Sequence, residues 1–323
     1  MTINPVFTDA TPIAAPDAGR QFLDDALAGL TAPRKFLSAK YFYDKAGSDL
    51  FEAITRQPEY YPTRTELGIL DVQGASIAAA LPARANLVEF GSGSTAKVRR
   101  LMAHRPDLAG YVPVDVSADF LRSEAEALGR DFPHLSITPV AADFTRAFTL
   151  PEGLAGPVAG FFPGSTIGNF EPPQAARLLA HFGRVLGPEA TLIIGVDLVK
   201  DRAVLDAAYD DAAGVTAAFN RNLLVRLSHE LGAEIDIDAF AHRAFFDVEA
   251  SRIEMHLVSL KAQTLRLANR RIAFAEGETI HTENSYKYTV EGFRDLAREA
   301  GWIAGEVWTD PDLLFSIHAL TRN

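Results

Sequence analysis

Between Glu152 and Glu171 the chain runs eighteen residues without a charge and closes on FFPGSTIGNF. So apolar a stretch must leave water, which limits where it can go. A membrane span needs ~20 apolar residues in one helix. Here Gly156, Pro157, Gly160, Pro163, Gly164 and Gly168 break any helix short of that. The remaining reading is a buried strand over about 157–162, followed by a tight polar turn. A strand apolar throughout, rather than at alternate positions, is one covered on both faces, as in a parallel sheet.

The flanking sequence supplies the rest of such a sheet. NLVEF (86–90), YVPVDVS (111–117), LSITPVAADF (135–144) and TLIIGVDLV (191–199) read as strands. Between them VRRLMAHR, DFLRSEAEALGRDF and PQAARLLAHFGRVLG carry apolar residues at helical spacing. Strands alternating with helices imply an α/β fold with a doubly wound, Rossmann-like parallel sheet. Helical patterns also cover Arg20–Leu30 and Gly47–Ile54, and a helix starts at Pro62 and Thr63 and runs toward Leu81. The alternation stops after about residue 200. A long helical stretch follows, then FAHRAFFDVEASRIEMHLVSLKAQTLRL and RRIAFAEGETIHTENSYKYT, rich in β-formers. VEGFRDLAREAGW is helical, and GEVWTDPDLLFSIHAL closes with two strands. We therefore expect a doubly wound domain over 62–200 and 287–323. A second α+β lobe is expected from the insertion 201–286 together with 1–61.

Charge narrows the partners. The net charge is −11, with no basic run, which argues against nucleic acid and against a membrane surface. The chain has no cysteine, so disulfides and thiolate metal sites are excluded and a reducing cytoplasm fits. The leader MTINPVFTDATPIAAPDAG lacks a basic region and an apolar core and does not read as a signal peptide. His229, His242, His256 and His281 lack metal-ligand spacing, and Asp201, Asp210 and Asp211 read as a solvated acidic loop, so no metal is expected.

Chemistry gathers at the strand ends. VEFGSGSTAK puts Gly91, Ser92 and Gly93 between the first strand and a helix, where a glycine turn lets backbone approach a ligand. Asp115 ends the second strand, 22 residues beyond Gly93, where an acid can bind a ribose hydroxyl pair. Asp143 ends the third strand, placed to accept an adenine amino group, with Phe144 flanking the ring. Read alone, either acid could be a helix cap and the glycines a plain turn. The pattern suits a dinucleotide or S-adenosylmethionine. GSG lacks the third spaced glycine of the dinucleotide turn, and the closing helix and two strands favour S-adenosylmethionine.

Beyond these points the sequence resembles a known family. RKFLSAKYFYDKAGSDLFEAIT, PEYYPTR, LVEFGSGSTAK, FPGSTIGNF, GVDLVKD, YDDAAGVTAAFNRN, RIEMHL and TENSYKYT occur in the order found in the L-histidine Nα-methyltransferases. The resemblance covers the chain from about Arg34. It implies a class I methyltransferase fold and successive methylation of the histidine α-amine by S-adenosylmethionine. The product is the trimethylated betaine hercynine, on the way to ergothioneine. It also implies roles for individual residues. Gly91, Lys97, Asp115 and Asp143 match cofactor positions, Lys97 toward the cofactor's carboxylate. Tyr60, Tyr209 and Asn169 match holders of the substrate carboxylate and amine region. Tyr43 lies near cofactor and amine, Met255 lines the side-chain pocket, and Glu283 with Ser285 bonds the imidazole. Related fungal enzymes act on a prenylated tryptophan, so the same chemistry on another amino acid or indole derivative is an alternative. A catalytically silent cofactor-binding subunit is another. No obligate protein partner is evident.

On this reading Tyr43 and Asn169 serve the transfer itself, which needs a neutral amine held in line rather than a strong base. Two tyrosines and an asparagine would hold the carboxylate without a cation beside the sulfonium. Taken without the family, Tyr60 could be core, Asn169 a turn residue, Met255 core filler and Glu283 a solvated strand position.

Overall fold

The structure, a computed structural model, describes residues 18–322. Most of the leader therefore lies outside the described residues. The chain opens with helices α1 (Ala18–Leu30) and α2 (Lys45–Thr55) and continues into α3 (Tyr61–Ala79). The alternating region then runs β1 (Asn86–Phe90), α4 (Ala96–Ala103), β2 (Gly110–Asp115), α5 (Ala118–Asp131), β3 (Ser136–Ile137), β4 (Val140–Ala141), β5 (Val158–Phe162), α6 (Pro172–Leu186) and β6 (Thr191–Asp197). Next come α7 (Arg202–Tyr209) and α8 (Val215–Leu231). Strands β7 (Phe240–Asp247), β8 (Arg252–Ser259), β9 (Gln263–Leu267), β10 (Arg270–Phe274) and β11 (Thr279–Tyr286) follow. The chain ends with α9 (Val290–Glu299), β12 (Ile303–Thr309) and β13 (Phe315–Thr321). The described residues divide into two compact units, one of 65–198 with 288–322, the other of 18–64 with 199–287. Among them no helix is long and apolar enough to cross a membrane.

In the first unit the strand order is β12-β13-β6-β5-β1-β2-β3, with β4 also paired to β2. Strands β1 to β6 pair in parallel, whereas β13 runs antiparallel to both β6 and β12. Alternation along each strand loads two cores on opposite faces. Leu87 and Ile193 join Ile69 and Ile77 of α3 on one face. Val88, Phe90, Leu192 and Ile194 join Phe182 of α6, Phe293 of α9 and Trp302 on the other. The uncharged segment becomes β5, central in the sheet, with Phe161 feeding one core and Phe162 the other. One expectation is corrected: LSITPVAADF is not a single strand but two short pieces. Pro139 has no N–H for the ladder, which lapses between Ile137 and Val140.

The second unit holds an antiparallel sheet of order β11-β8-β7 and a β9–β10 hairpin. Helix α8 runs through it, with Leu223, Leu224 and Leu227 fully buried. Its Phe219 stacks on Phe42 at 4.3 Å. A bulge interrupts β11: His281 pairs with His256, but Glu283 pairs with Met255, leaving Thr282 as the extra residue. Facing residues of an antiparallel pair share a side of the sheet. Glu283 and Ser285 therefore share a face with Met255 and Ile253. His281, Asn284 and Tyr286 share the other with His256, Glu254 and Arg252.

Candidate active site

In the first unit the glycine turn leaves β1 with Gly91 at φ +74°, a left-handed conformation. The N–H groups of Gly91 and Ser92 both bond the carbonyl of Val114, at 2.8 and 3.1 Å, folding the turn against the end of β2. A Cβ on Gly91 would lie 3.2 Å from Cε1 of Phe144. Phe144 thus covers the turn closely and brings the loop after β4 to it. Nothing lies within 4 Å of a Cβ on Gly93, so that side of the turn is open. Asp115, at the end of β2, is half-buried; desolvation raises its carboxyl pKa, against the N–H of Ser117. Asp143 turns into its own loop. One oxygen takes both the N–H and the hydroxyl of Thr145, at 2.9 and 2.6 Å, and the other faces Arg146 at 3.4 Å.

Beneath the turn lie two carboxylates that sequence reading missed. Glu89 is buried, with the hydroxyls of Tyr111 and Ser92 donating to it. Desolvation pushes it up to about 7, against those hydrogen bonds and the charge of Lys97. Glu66 on α3 is fully buried and accepts the N–H of Gly164 with both oxygens, at 3.0 and 2.9 Å. Lys97 pairs with it at 2.6 Å. The lysine matched by resemblance to the cofactor's carboxylate is thus held by an internal acid. At Gly195 a Cβ would collide with Glu66 Oε1, so that glycine makes the room. The polar turn after β5 is pinned twice. Glu66 holds Gly164, and Ser165, left-handed at φ 55°, accepts the N–H of Asp197 on Oγ at 2.8 Å. Half-buried Asn169 ends the short 3₁₀ turn Thr166–Asn169 that follows.

In the second unit the structure gathers several of the singled-out residues. Buried Tyr60 meets Tyr209 edge-on, ring centroids 6.1 Å apart. Phe51 lies 6.3 Å from Tyr60 and 5.8 Å from Tyr43, and Phe219 touches both Tyr43 and Phe51. Tyr43 itself is 46% exposed. Tyr209 ends α7, where His242 Nε2 meets its carbonyl at 2.9 Å. Its hydroxyl lies 2.8 Å from Ser285 Oγ. Glu283 keeps some surface but is densely surrounded; desolvation raises its pKa to about 7, and the charge of Lys287 opposes the rise.

Lys287 Nζ donates to Tyr209 Oη at 2.9 Å, a contact that sequence reading did not place there. Two further expectations are corrected here. Asp211 is not solvated. It is 5% exposed and caps the start of α8, accepting the N–H groups of Val215 and Thr216 at 2.9 and 2.7 Å. Glu254, His256 and His281 do come together, their ligand atoms within 4.8 Å of one another. Pairing of β8 with β11 creates that cluster, which spacing along the chain could not show. The two imidazoles stack at 4.7 Å and 14°, their rings in nearly parallel planes. Glu254 is engaged by Arg252 and by His256.

The sheet of this order, with an antiparallel strand beside the last parallel one, and its glycine turn belong to an S-adenosylmethionine-dependent methyltransferase, the class to which the family match assigns the chain. Residues 22–322 match the family model described as histidine-specific, SAM-dependent methyltransferase, and the chain belongs to that family. It is 44% identical to the histidine N-alpha-methyltransferase of Mycolicibacterium smegmatis, over 97% of this chain and 98% of that one. With the histidine N-alpha-methyltransferase of Mycobacterium tuberculosis it shares 42% identity, over 91% and 93%. It is also 29% identical to ergothioneine biosynthesis protein 1 of Neurospora crassa, over 90% of this chain and 33% of that one.

Gly91→Ala should weaken S-adenosylhomocysteine binding about 10-fold or more, since left-handed backbone costs a residue with a Cβ ~1–2 kcal/mol and Phe144 must also move; titration calorimetry reads this. For Glu89, a folded-state pKa raised above the ordinary 4.5 means that the folded protein holds the proton more tightly. Its penalty on folding is absent below the ordinary value and complete once pH exceeds about 7. Glu89→Gln removes that penalty. The melting temperature of the variant relative to wild type should therefore rise between pH 5 and pH 8, reflecting about 3 kcal/mol at most.

Proposed function

We propose that this protein transfers methyl groups from S-adenosylmethionine to the α-amino nitrogen of L-histidine, three in succession, giving hercynine for ergothioneine synthesis. The observation that carries the reading is the shared face of Glu283, Ser285 and Met255, with Ser285 bonded to Tyr209. An imidazole N–H offered to a desolvated carboxylate is recognised strongly. A competing side chain without that donor would leave the carboxylate buried and unpaired, a mismatch that can discriminate by ~10⁴ or more.

In this reading the first unit, 65–198 with 288–322, holds the cofactor through Gly91, Ser92, Gly93, Lys97, Asp115, Asp143 and Phe144. The second, 18–64 with 199–287, holds the amino acid. Bound there, S-adenosylmethionine supplies a methyl group on a positively charged sulfur. The chain's own task is to present a neutral amine. An α-amino group with pKa ~8 is partly protonated in water, and burial among apolar groups favours its neutral form. Tyr60 and Tyr209 hold the carboxylate, Met255 packs along the side chain, and Tyr43 lines the amine. The rings around Tyr60 keep water out, and their faces attract the growing trimethylammonium. Orienting the reactants can lower the barrier by up to roughly 7–11 kcal/mol without a general base. The absence of cysteine suits work in a reducing cytoplasm.

Mass spectrometry of the product from histidine and S-adenosylmethionine should show the gain of three methyl groups. A product carrying no added methyl defeats the reading. Glu283→Ala should abolish measurable histidine binding by calorimetry and leave S-adenosylhomocysteine binding within about twofold, since the carboxylate serves only the ring.

A further inference from the structure

The proposed reaction depends on which side of β11 carries Glu283, and the bulge decides that. Up to His281 the strand pairs regularly with β8, Ile280 facing Leu257 and His281 facing His256. Continued without a bulge, this register would set Thr282 opposite Met255 and Glu283 opposite Glu254. A slip of one residue carries side chains to the other face of a sheet. Glu283 and Ser285 would then leave Met255 for the side of His256, with one acid set against another.

Two side chains without a part in the reaction tie the bulge down. Thr282, 2% exposed, donates its hydroxyl to the carbonyl of Met255 at 3.0 Å, which fastens the extra residue to the opposite strand. His281 Nε2 lies 3.0 Å from the carbonyl oxygen of Glu283. A carbonyl only accepts, so Nε2 carries the proton, and the imidazole spans the bulge from the residue before it to the residue after it. The bond reaches the main chain of Glu283, not its carboxylate.

The ring of His281 is itself held. It stacks on His256 at 4.7 Å and 14°, and His256 stacks on Phe245 at 5.5 Å and 11°. The guanidinium of Arg243 lies 4.9 Å from the centroid of Phe245. Glu254 accepts from Nε2 of His256 at 2.8 Å, which sets the rotation of that ring. The backbone of His281 is fixed as well: its N–H donates to the carbonyl of Lys35 and its carbonyl accepts the N–H of Leu37, both at 2.9 Å. Aromatic neighbours on facing strands stabilise the pairing that brings them together. The row of rings therefore favours the register in which His281 meets His256.

We propose that Thr282 and His281 are positioning residues for Glu283: together they lock the bulge that turns its carboxylate toward Met255, Ser285 and the substrate imidazole. The proposal rests on the reading above, in which Glu283 binds that imidazole. It gives the stacked histidines a task on the face of the sheet opposite Glu283. Neither residue touches substrate or cofactor; each acts through the register of β11.

The test uses the full chain, with kcat and KM for L-histidine at saturating S-adenosylmethionine and S-adenosylhomocysteine affinity by calorimetry. Thr282→Val keeps the branched shape and loses the hydroxyl, and His281→Phe keeps a flat ring and loses the N–H. Each should raise the histidine KM about fivefold or more, change kcat less than about threefold and hold S-adenosylhomocysteine affinity within about twofold. Thr282→Ser restores the hydroxyl, and His281→Gln places an amide N–H at the reach of Nε2. Both should return KM to within about threefold of wild type. Glu283→Ala is the reference. A wild-type KM in Thr282→Val or in His281→Phe, beside a Glu283→Ala that has lost histidine, overturns the proposal alone. Losses in S-adenosylhomocysteine affinity as large as the rise in KM overturn it too, since they mark a general disturbance. A wild-type KM in Glu283→Ala takes down the assignment of that acid, and the proposal with it. Should Thr282→Val or His281→Phe fail to fold, as judged by its melt and by S-adenosylhomocysteine binding, Thr282→Ala or His281→Leu takes its place under the same criteria.

Discussion

A fully buried carboxylate, Glu66, organises the first unit. Its two oxygens hold the N–H of Gly164 and the ammonium of Lys97, and Gly195 gives way to admit it. Helix α3, helix α4, the turn after β5 and strand β6 therefore meet at one charge. A buried carboxylate stripped of a partner costs several kcal/mol, so none of these elements can shift alone. The turn that follows the uncharged strand is thereby fixed from behind, and Ser165 fixes it again through the N–H of Asp197. The short 3₁₀ turn that follows buries Ile167 and Gly168 and ends at half-buried Asn169.

The second unit solves a different problem. It gathers rings and hydroxyls, on which the proposed reading places a charged amino acid, with few formal charges among them. Tyr43, Phe51, Tyr60 and Tyr209 follow one another at ring separations of about 6 Å, close enough for edge-to-face contact. Lys287 and Glu283 are the charges at the hydroxyl end of this row. Glu283 is desolvated and Lys287 is buried, and the charge of Lys287 opposes the rise that burial imposes on the Glu283 carboxyl.

Much of the fold was legible in the sequence because its signals are local. The apolar stretch before Phe162, the spacing of helices between strands and the glycines after Phe90 each depend on neighbours along the chain. Where a local rule was overlooked, the error followed directly. Pro139 splits the third strand, and a proline inside a strand pattern is itself a warning. The candidate site was legible mainly through resemblance, since nothing in the spacing of Tyr60, Tyr209 and Ser285 says that they meet. Glu66 left no trace that distinguishes it from a surface acid, whereas Glu89 stands inside the strand pattern NLVEF and its burial was overlooked. Asp211 looked like one of three solvated acids, and only the path of the chain into α8 makes it a buried cap.

By itself the sequence determined that β5 would be covered on both sides, that the backbone after β1 would turn tightly at Gly91, and that no thiol could take part in the chemistry. These follow from hydrophobicity, from the lack of a Cβ and from the lack of cysteine. Tertiary structure alone decided which side of β11 would carry the acid. By alternation His281, Glu283 and Ser285 belong on one face, and a single extra residue at Thr282 sends His281 to the other. A bulge exists only where two strands disagree in length, and that disagreement is between β8 and β11, distant along the chain. The same pairing gathers Glu254, His256 and His281, and it aligns Lys287 with Ser285 while α7 delivers Tyr209. Contacts of this kind depend on residues dozens of positions apart, which is why only the folded chain contains them.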